Sequence, residues 1–323
     1  MREIAEIASR LRNLGPQPAW LATVVAIQGS AYRRPGARLL FSRDGKLAGG
    51  ISGGCLEREV MRTGEWLAQC GPVLRIFDGS RDEDGHGAAR SGCNGLVEVL
   101  IQEVTPAVSE TLQRAAGELA QQRSVALTTL LPSGRIFVEQ LQPAPHLSVF
   151  GIGDDVVPVA RLATQVGFDV TVRAAHGGFG ARARFSGVAP LELRPVADHS
   201  LAHYARLFAV VMTHDYEQDR ATLAALLRSQ ARYIGMLGPA RRTQRMLNEI
   251  QAREACPLER LACVHGPAGL HLGGEGPDAI ALAIVAEAQT VLHGKQGGFL
   301  RAQKAAIHDQ EQPAVRVLQA EGA

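Results

Sequence analysis

The chain has little of three things. Its 323 residues include only five cysteines (Cys55, Cys70, Cys93, Cys256 and Cys263) and no C-x-x-C pair. Neither a disulfide framework nor a structural zinc site is therefore expected, and the thiols read as free. The charge excess is small, 34 Lys+Arg against 32 Asp+Glu for a net +2, which lacks the clustered positive surplus that nucleic-acid binding requires. No apolar run approaches the ~18 to 20 residues that span a bilayer, because Arg, Asp, Gly or His interrupts each candidate. The opening Met1 to Arg12 carries Glu3 and Glu6 among its apolar positions, which does not fit a signal peptide. No nucleic-acid or membrane partner is expected, and a cytoplasmic location is. Internal repeats and low-complexity tracts are also absent.

What is present describes an ordinary globular protein, 46% hydrophobic and 20% charged, long enough for about two domains. Its 35 glycines exceed the ~7% average and point to many tight turns or backbone-lined ligand sites. Ile4, Ile7, Ala8 and Leu11 recur at helical spacing before Gly15-Pro16, predicting a short opening helix. A β-rich stretch follows, with strands at Trp20 to Ile27 and Arg38 to Phe41 and a turn at Asp44-Gly45. Further strands are expected at Leu74 to Phe77 and Leu96 to Gln102, helices at Leu56 to Gln69 and Ala107 to Gln122, and a hairpin across Pro132-Ser133-Gly134. Beyond the connector Gln142 to Pro145, strands alternate with helices, the signature of βαβ units and a doubly wound parallel sheet. The resulting boundaries are 1–142, 146–292, and a tail over 293–323 without strong pattern. The helix Pro277 to Leu292 carries Ala, Ile and Val on most faces and is expected to be buried.

Four loops carry the residues that could do chemistry. Leu147-Ser-Val-Phe-Gly151-Ile-Gly153 places a G-x-G between a strand and a helix, the arrangement that seats a pyrophosphate on a helix N-terminus. Its third glycine position is Val156, Asp154 and Asp155 repel phosphate at the helix start, and the second strand ends Arg173-Ala174-Ala175-His176 without an acid for a ribose. The fold is supported better than ordinary NAD binding. Gly29-Ser30-Ala31-Tyr32-Arg33-Arg34-Pro35-Gly36 is either a solvated turn or a grip on an anion by paired guanidiniums. Gly49-Gly50-Ile51-Ser52-Gly53-Gly54-Cys55 leads into a helix, where glycines leave N–H groups accessible and a thiol meets positive potential. Cys55 is then either a soft ligand or a small core residue. Ser91-Gly92-Cys93-Asn94-Gly95 puts a second thiol in a glycine loop.

Farther on, His214-Asp215 ends a strand at its carboxyl edge, as a site or as a cap and loop contact. Arg241 and Arg242 stand in a first helical turn, where cations oppose the dipole and hint at an anionic ligand. His265, His271 and Glu275 lack the i, i+4 spacing of a zinc helix, and no metal site is assigned to them.

Taken together, GSAYRRPGARLLFSRDG (29–45), GGISGGCLEREV (49–60), SGCNGLVEVLI (91–101), VFGIGDDVVPVARLATQVGFDVTV (149–172), VVMTHD (210–215), YIGMLGPARR (233–242) and GPAGLHLGGEGPDAIALAIVAE (266–287) resemble the XdhC/CoxI family of xanthine dehydrogenase accessory proteins. The resemblance implies an α/β protein with an N-terminal mixed α/β domain and a Rossmann-like C-terminal domain, often dimeric, without turnover of its own. It implies a maturation chaperone whose cargo is the molybdenum cofactor (molybdopterin, with or without a nucleotide). The carrier would protect it while a cysteine desulfurase supports sulfuration, then deliver it to a xanthine dehydrogenase-type molybdenum hydroxylase. Such a cargo suits Ser30, Arg33, Arg34, Gly53, Gly54, Cys55 and Cys93 of the first domain and Gly151, Gly153, His214 and Arg241 of the second, with Cys55 on the metal. Two other readings compete, an NAD(P)-dependent oxidoreductase resting on the G-x-G and an adaptor that binds only proteins.

Overall fold

The computed structural model describes residues 2–29, 31–78, 95–177, 180–199, 201–253, 257–302 and 315–319; Ser30, Cys93 and Cys256 lie outside them. The chain divides into two units, Met1–Gln142 with Gln310–Ala323, and Pro143–Asp309. No helix among the described residues is long and apolar enough to cross a membrane.

In the first unit, α1 (Arg2–Arg12) is followed by the antiparallel strands β1 (Ala19–Gly29), β2 (Arg38–Ser42) and β3 (Gly45–Gly49). Helix α2 (Cys55–Leu67), strands β4 (Val73–Asp78) and β5 (Gly95–Glu103), helix α3 (Pro106–Ala120) and the hairpin β6 (Val125–Leu130) and β7 (Arg135–Leu141) complete it up to the connector. The described strands form a sheet in the order β3-β2-β1-β5-β4. β1 is central and its first seven residues are buried on both faces, which is why Trp20 to Val25 reads as apolar without alternation. One face meets α1 and α3 through Ile4, Ile7, Leu21, Leu40 and Leu112. The other meets α2, whose Gly64 lies so close to Phe41 that a Cβ there would be 2.7 Å from the ring.

A buried ion pair links two strands of this unit. Arg38 and Glu139, with side chains 5% and 3% exposed, join β2 to β7, and Arg38 also donates to the Gly36 carbonyl at 2.8 Å.

The second unit alternates as expected: β8 (His146–Phe150), α4 (Val156–Gln165), β9 (Asp169–Ala174), α5 (Ala181–Phe185), β10 (Leu191–Leu193), β11 (Leu207–Val211), α6 (Tyr216–Leu227), β12 (Tyr233–Met236), α7 (Ala240–Arg253), α8 (Leu258–Leu261), β13 (Val264–His265) and α9 (Pro277–Leu292). Among the described residues all its strand pairings are parallel, in the order β10-β9-β8-β11-β12-β13. This is the doubly wound arrangement, and the order reverses between β8 and β11, where such sheets bind ligands beyond their strand ends. α4 and α9 cover one face, and α6 and α7 the other.

Helix α9 departs from expectation. It buries only the stripe Ala281, Ile284, Val285 and Ala288, because α4 and the sheet reach one side of it, and Ile280 and Leu282 stay exposed. The tail also contributes more than its sequence suggests: its alternating Val315-Arg316-Val317 pairs with β7 as strand β14 (Val315–Gln319) and extends the β6–β7 hairpin to three strands.

Under β8 and β9 lies a polar network. His146 Nδ1 is 3.0 Å from Asp169 Oδ2, its ring stacks on Tyr204 at 3.5 Å, and Arg173 is tied to Ser148, Glu192, His199 and Tyr204. Burial, reinforced by Arg173, holds both His146 and His199 below the usual imidazole range. These histidines take protons less readily in the fold than in the unfolded chain, so stability falls as pH falls through about 6.5. Calorimetry should show the unfolding temperature dropping as the pH is lowered from 7.5 to 5.5. His146→Phe, which keeps the stacking, should flatten that slope; an unchanged slope would exclude His146 as its source.

Candidate functional site

The first unit brings two of the sequence's loops side by side. A Cβ on Gly53 would sit 3.9 Å from the Tyr32 ring, so the turn carrying Arg33 and Arg34 adjoins the glycine loop before α2. Pro35-Gly36, with Gly36 at φ +95, gives that turn its sharpness. Glu3 of α1 anchors both loops: its carboxylate accepts from Arg33 and, at 2.7 Å, from the Arg38 N–H, and its Cγ lies against Gly49. Gly49 has no room for a side chain, since a Cβ would be 2.2 Å from the Arg38 carbonyl oxygen. Arg33 is partly exposed but already has a carboxylate partner. Arg34 is half-buried in the turn, its carbonyl accepting from Ala37.

The glycine loop is organised by Glu57, one turn into α2 and only 6% exposed. Its carboxylate accepts from the N–H groups of Ile51 at 2.9 Å, Ser52 at 2.7 Å and Gly54 at 3.0 Å, and from the Ser52 hydroxyl. The Ser52 oxygen in turn accepts from the Leu56 N–H at 3.1 Å. Burial pushes this carboxyl toward its neutral form, but the Ser52 hydroxyl and the loop amides outweigh it and hold it below the usual carboxylate range. This corrects the expected role of the loop: most of its amides are spent on the chain's own carboxylate, so it is a clamp more than an open anion cradle. What it presents is Cys55, a half-exposed free thiol at the first position of α2, with Sγ 3.5 Å from Ser52 Oγ.

Glu57→Ala should therefore strand three amides and lower stability by about 3 kcal/mol. Cys55 should alkylate several-fold faster as its support loosens, with iodoacetamide kinetics as the measure. Unchanged kinetics would mean that Glu57 does not hold the thiol in place.

In the second unit, Gly151, Gly153 and His214 meet at the reversal between β8 and β11. Gly151, at φ +140, passes so near β11 that a Cβ would be 2.4 Å from the Met212 carbonyl oxygen. At Gly153 a Cβ would be 2.4 Å from Asp155 Oδ1 and 3.8 Å from His214 Nε2. His214, in the left-handed region at φ 62, approaches Asp155 Oδ2 to 2.8 Å through Nε2. Arg184 of α5 donates to the Ile152 carbonyl and pairs with Asp154. Where a dinucleotide site leaves space for pyrophosphate, this turn holds a carboxylate of its own.

The other candidates resolve locally. Asp215 caps α6, accepting from the Gln218 N–H at 2.8 Å. Arg241 is exposed in the first turn of α7, whereas Arg242 is bound to the buried Asp219, which offsets its charge at that helix start. His265 lies 3.1 Å from Glu287, which also accepts from Tyr233 and the Gly269 N–H, while His271 and Glu275 are exposed. Among the described residues no group of three or more His, Cys, Asp or Glu side chains could hold a metal ion. Sequence reasoning missed Glu3 and Glu57, and it singled out Asp155 only as a charge that repels phosphate, not as the partner of His214. For Glu57 a signal existed: a glutamate at the third helical position after Gly54 is the acidic half of a capping box.

Two family models match the chain, the XdhC and CoxI family over residues 15–78 and the XdhC Rossmann domain over 147–288. Among curated relatives, a protein of Bacillus subtilis (strain 168) described as a probable xanthine dehydrogenase component is 28% identical over 314 residues, covering 84% of this chain and 92% of that protein. The molybdenum cofactor insertion chaperone PaoD of Escherichia coli (strain K12) is 22% identical over 305 residues, covering 87% and 86%. A crystal structure described as a xanthine dehydrogenase from Bacillus halodurans superposes with a TM-score of 0.78 at 26% identity, over 91% of this chain and 97% of that one.

Proposed function

Because the chain belongs to the XdhC and CoxI family, we propose that it carries the molybdenum cofactor to a xanthine dehydrogenase-type molybdenum hydroxylase rather than catalysing a reaction itself. The observation that carries this reading is the Cys55 thiol, fixed at the start of α2 by the Ser52–Glu57 clamp beside the Tyr32-Arg33-Arg34 turn. A thiolate is a soft ligand suited to a sulfur-rich molybdenum centre, and an aromatic face next to guanidiniums suits a flat pterin bearing phosphate. Arg33 would exchange part of its pairing with Glu3 for the phosphate. In this proposal the carrier shields the dithiolene while a cysteine desulfurase supplies sulfur, and it works as a homodimer. The chaperone name of the E. coli relative supports the cargo.

The oxidoreductase reading has less support, since Asp155 lies against Gly153 where a pyrophosphate would approach. Anaerobic gel filtration of the chain mixed with molybdenum cofactor, with titration calorimetry against NAD and NADP, separates the two. Co-elution of molybdenum without nucleotide binding is expected. Micromolar or tighter NAD(P) binding with no retained molybdenum would reverse the assignment.

A further inference from the structure

The outward side of α2 carries a pattern that the carrier role does not use. Arg58, Arg62 and Trp66 follow one another at four-residue spacing, and Cys55 stands a turn before Arg58, so all four share one face of the helix. The opposite face, Glu57, Val60 and Gly64, is buried. Arg58 and Arg62 are exposed and have no ion-pair partner among the described residues. The neighbouring Glu65 is taken by Arg43, and Glu59, at the margin of the stripe, pairs with neither arginine. Trp66 is 70% exposed, although indoles are among the most buried side chains on average. Two uncompensated guanidiniums and an open indole in line match the residue types that dominate interface hot spots.

We propose that this face of α2 is a docking rail for the client hydroxylase, engaging an acidic segment of that enzyme whose carboxylates meet Arg58 and Arg62 and whose apolar notch takes the Trp66 ring. The charge of the rail selects an acidic protein surface. A single indole gives too little apolar area for a membrane-lying helix, and two arginines on a nearly neutral chain give too little charge for nucleic acid. The rail runs about 12 Å from Arg58 to Trp66 at 1.5 Å per residue, and its amino end is the cargo thiol. Docking there places the receiving enzyme within about a helical turn of Cys55, so that the surface recognising the client is continuous with the residue that releases the cargo. This inference rests on the carrier reading and adds to it where delivery occurs.

The test measures binding of the full chain to the cofactor-free xanthine dehydrogenase-type hydroxylase of the same organism, by biolayer interferometry over a salt series. Arg58→Glu with Arg62→Glu should weaken binding at least 30-fold and abolish its salt dependence, and Trp66→Ser should weaken it about 10-fold. Arg58→Lys with Arg62→Lys should keep the salt dependence. Molybdenum cofactor retention should be unchanged in every variant, which separates this inference from the carrier reading: loss of retention in the unaltered chain would sink the latter alone. Equal client binding by the wild-type and charge-reversed chains, or none by either, overturns the docking rail. So does sedimentation of the wild type, but not the charge-reversed chain, with phosphatidylglycerol vesicles in the absence of client binding.

Discussion

Replacing Glu139 with alanine is expected to remove about 3–5 kcal/mol of stability, because it leaves the Arg38 guanidinium buried without its counter-charge. Both side chains are almost fully enclosed, and Arg38 additionally supports the Gly36 carbonyl. The loss reaches the site through the chain itself, since the backbone of Arg38 bonds Glu3 and Gly50, which anchor the two loops. Fluorescence of the buried Trp20, monitored in urea, should report the shift in midpoint. The apolar pair Arg38→Met with Glu139→Leu should recover most of the stability, as replacement of a buried ion pair by packed hydrophobic groups often does. If Glu139→Ala costs under 1 kcal/mol, the pair does not frame the site.

The second large effect is expected at the thiol. Cys55→Ala removes the sulfur while leaving Ser52, Glu57 and the helix start intact, so the fold should be preserved and molybdenum retained after gel filtration should fall at least 10-fold. Cys55→Ser should behave as alanine does, because an oxygen is a poor substitute for a soft thiolate on molybdenum. Arg33→Ala should fall between wild type and Cys55→Ala, since its guanidinium is only partly free of Glu3. Equal retention by wild type and Cys55→Ala would remove the thiol from the mechanism.

The fold was legible because its signals are local. Apolar strand-length runs, from His146 to Phe150 before Gly151 and from Leu207 to Val211, specify buried parallel strands, and helical periodicity located α1, α2 and α3. The loops could be found by their glycines, but their use could not. Whether an exposed-looking polar group is free depends on a partner brought in by folding: Glu57 supplies it to the Gly54 amide from three residues on, Glu3 to the Arg33 guanidinium from thirty residues upstream, and Asp155 to His214 from the end of the neighbouring strand. The same reason hid the one-sided burial of α9 and the strand in the tail, whose partner β7 is far away in sequence. Residue type announced that Arg242 sits oddly at a helix start; only the structure supplies the buried Asp219 that explains it.

Native mass spectrometry of the chain purified anaerobically from a host that makes molybdopterin tests the central claim most directly. The carrier account predicts a species heavier than the polypeptide by one molybdenum cofactor per polypeptide, lost on substitution of Cys55. A spectrum containing only bare polypeptide, or polypeptide with NAD(P) and no molybdenum, would contradict it.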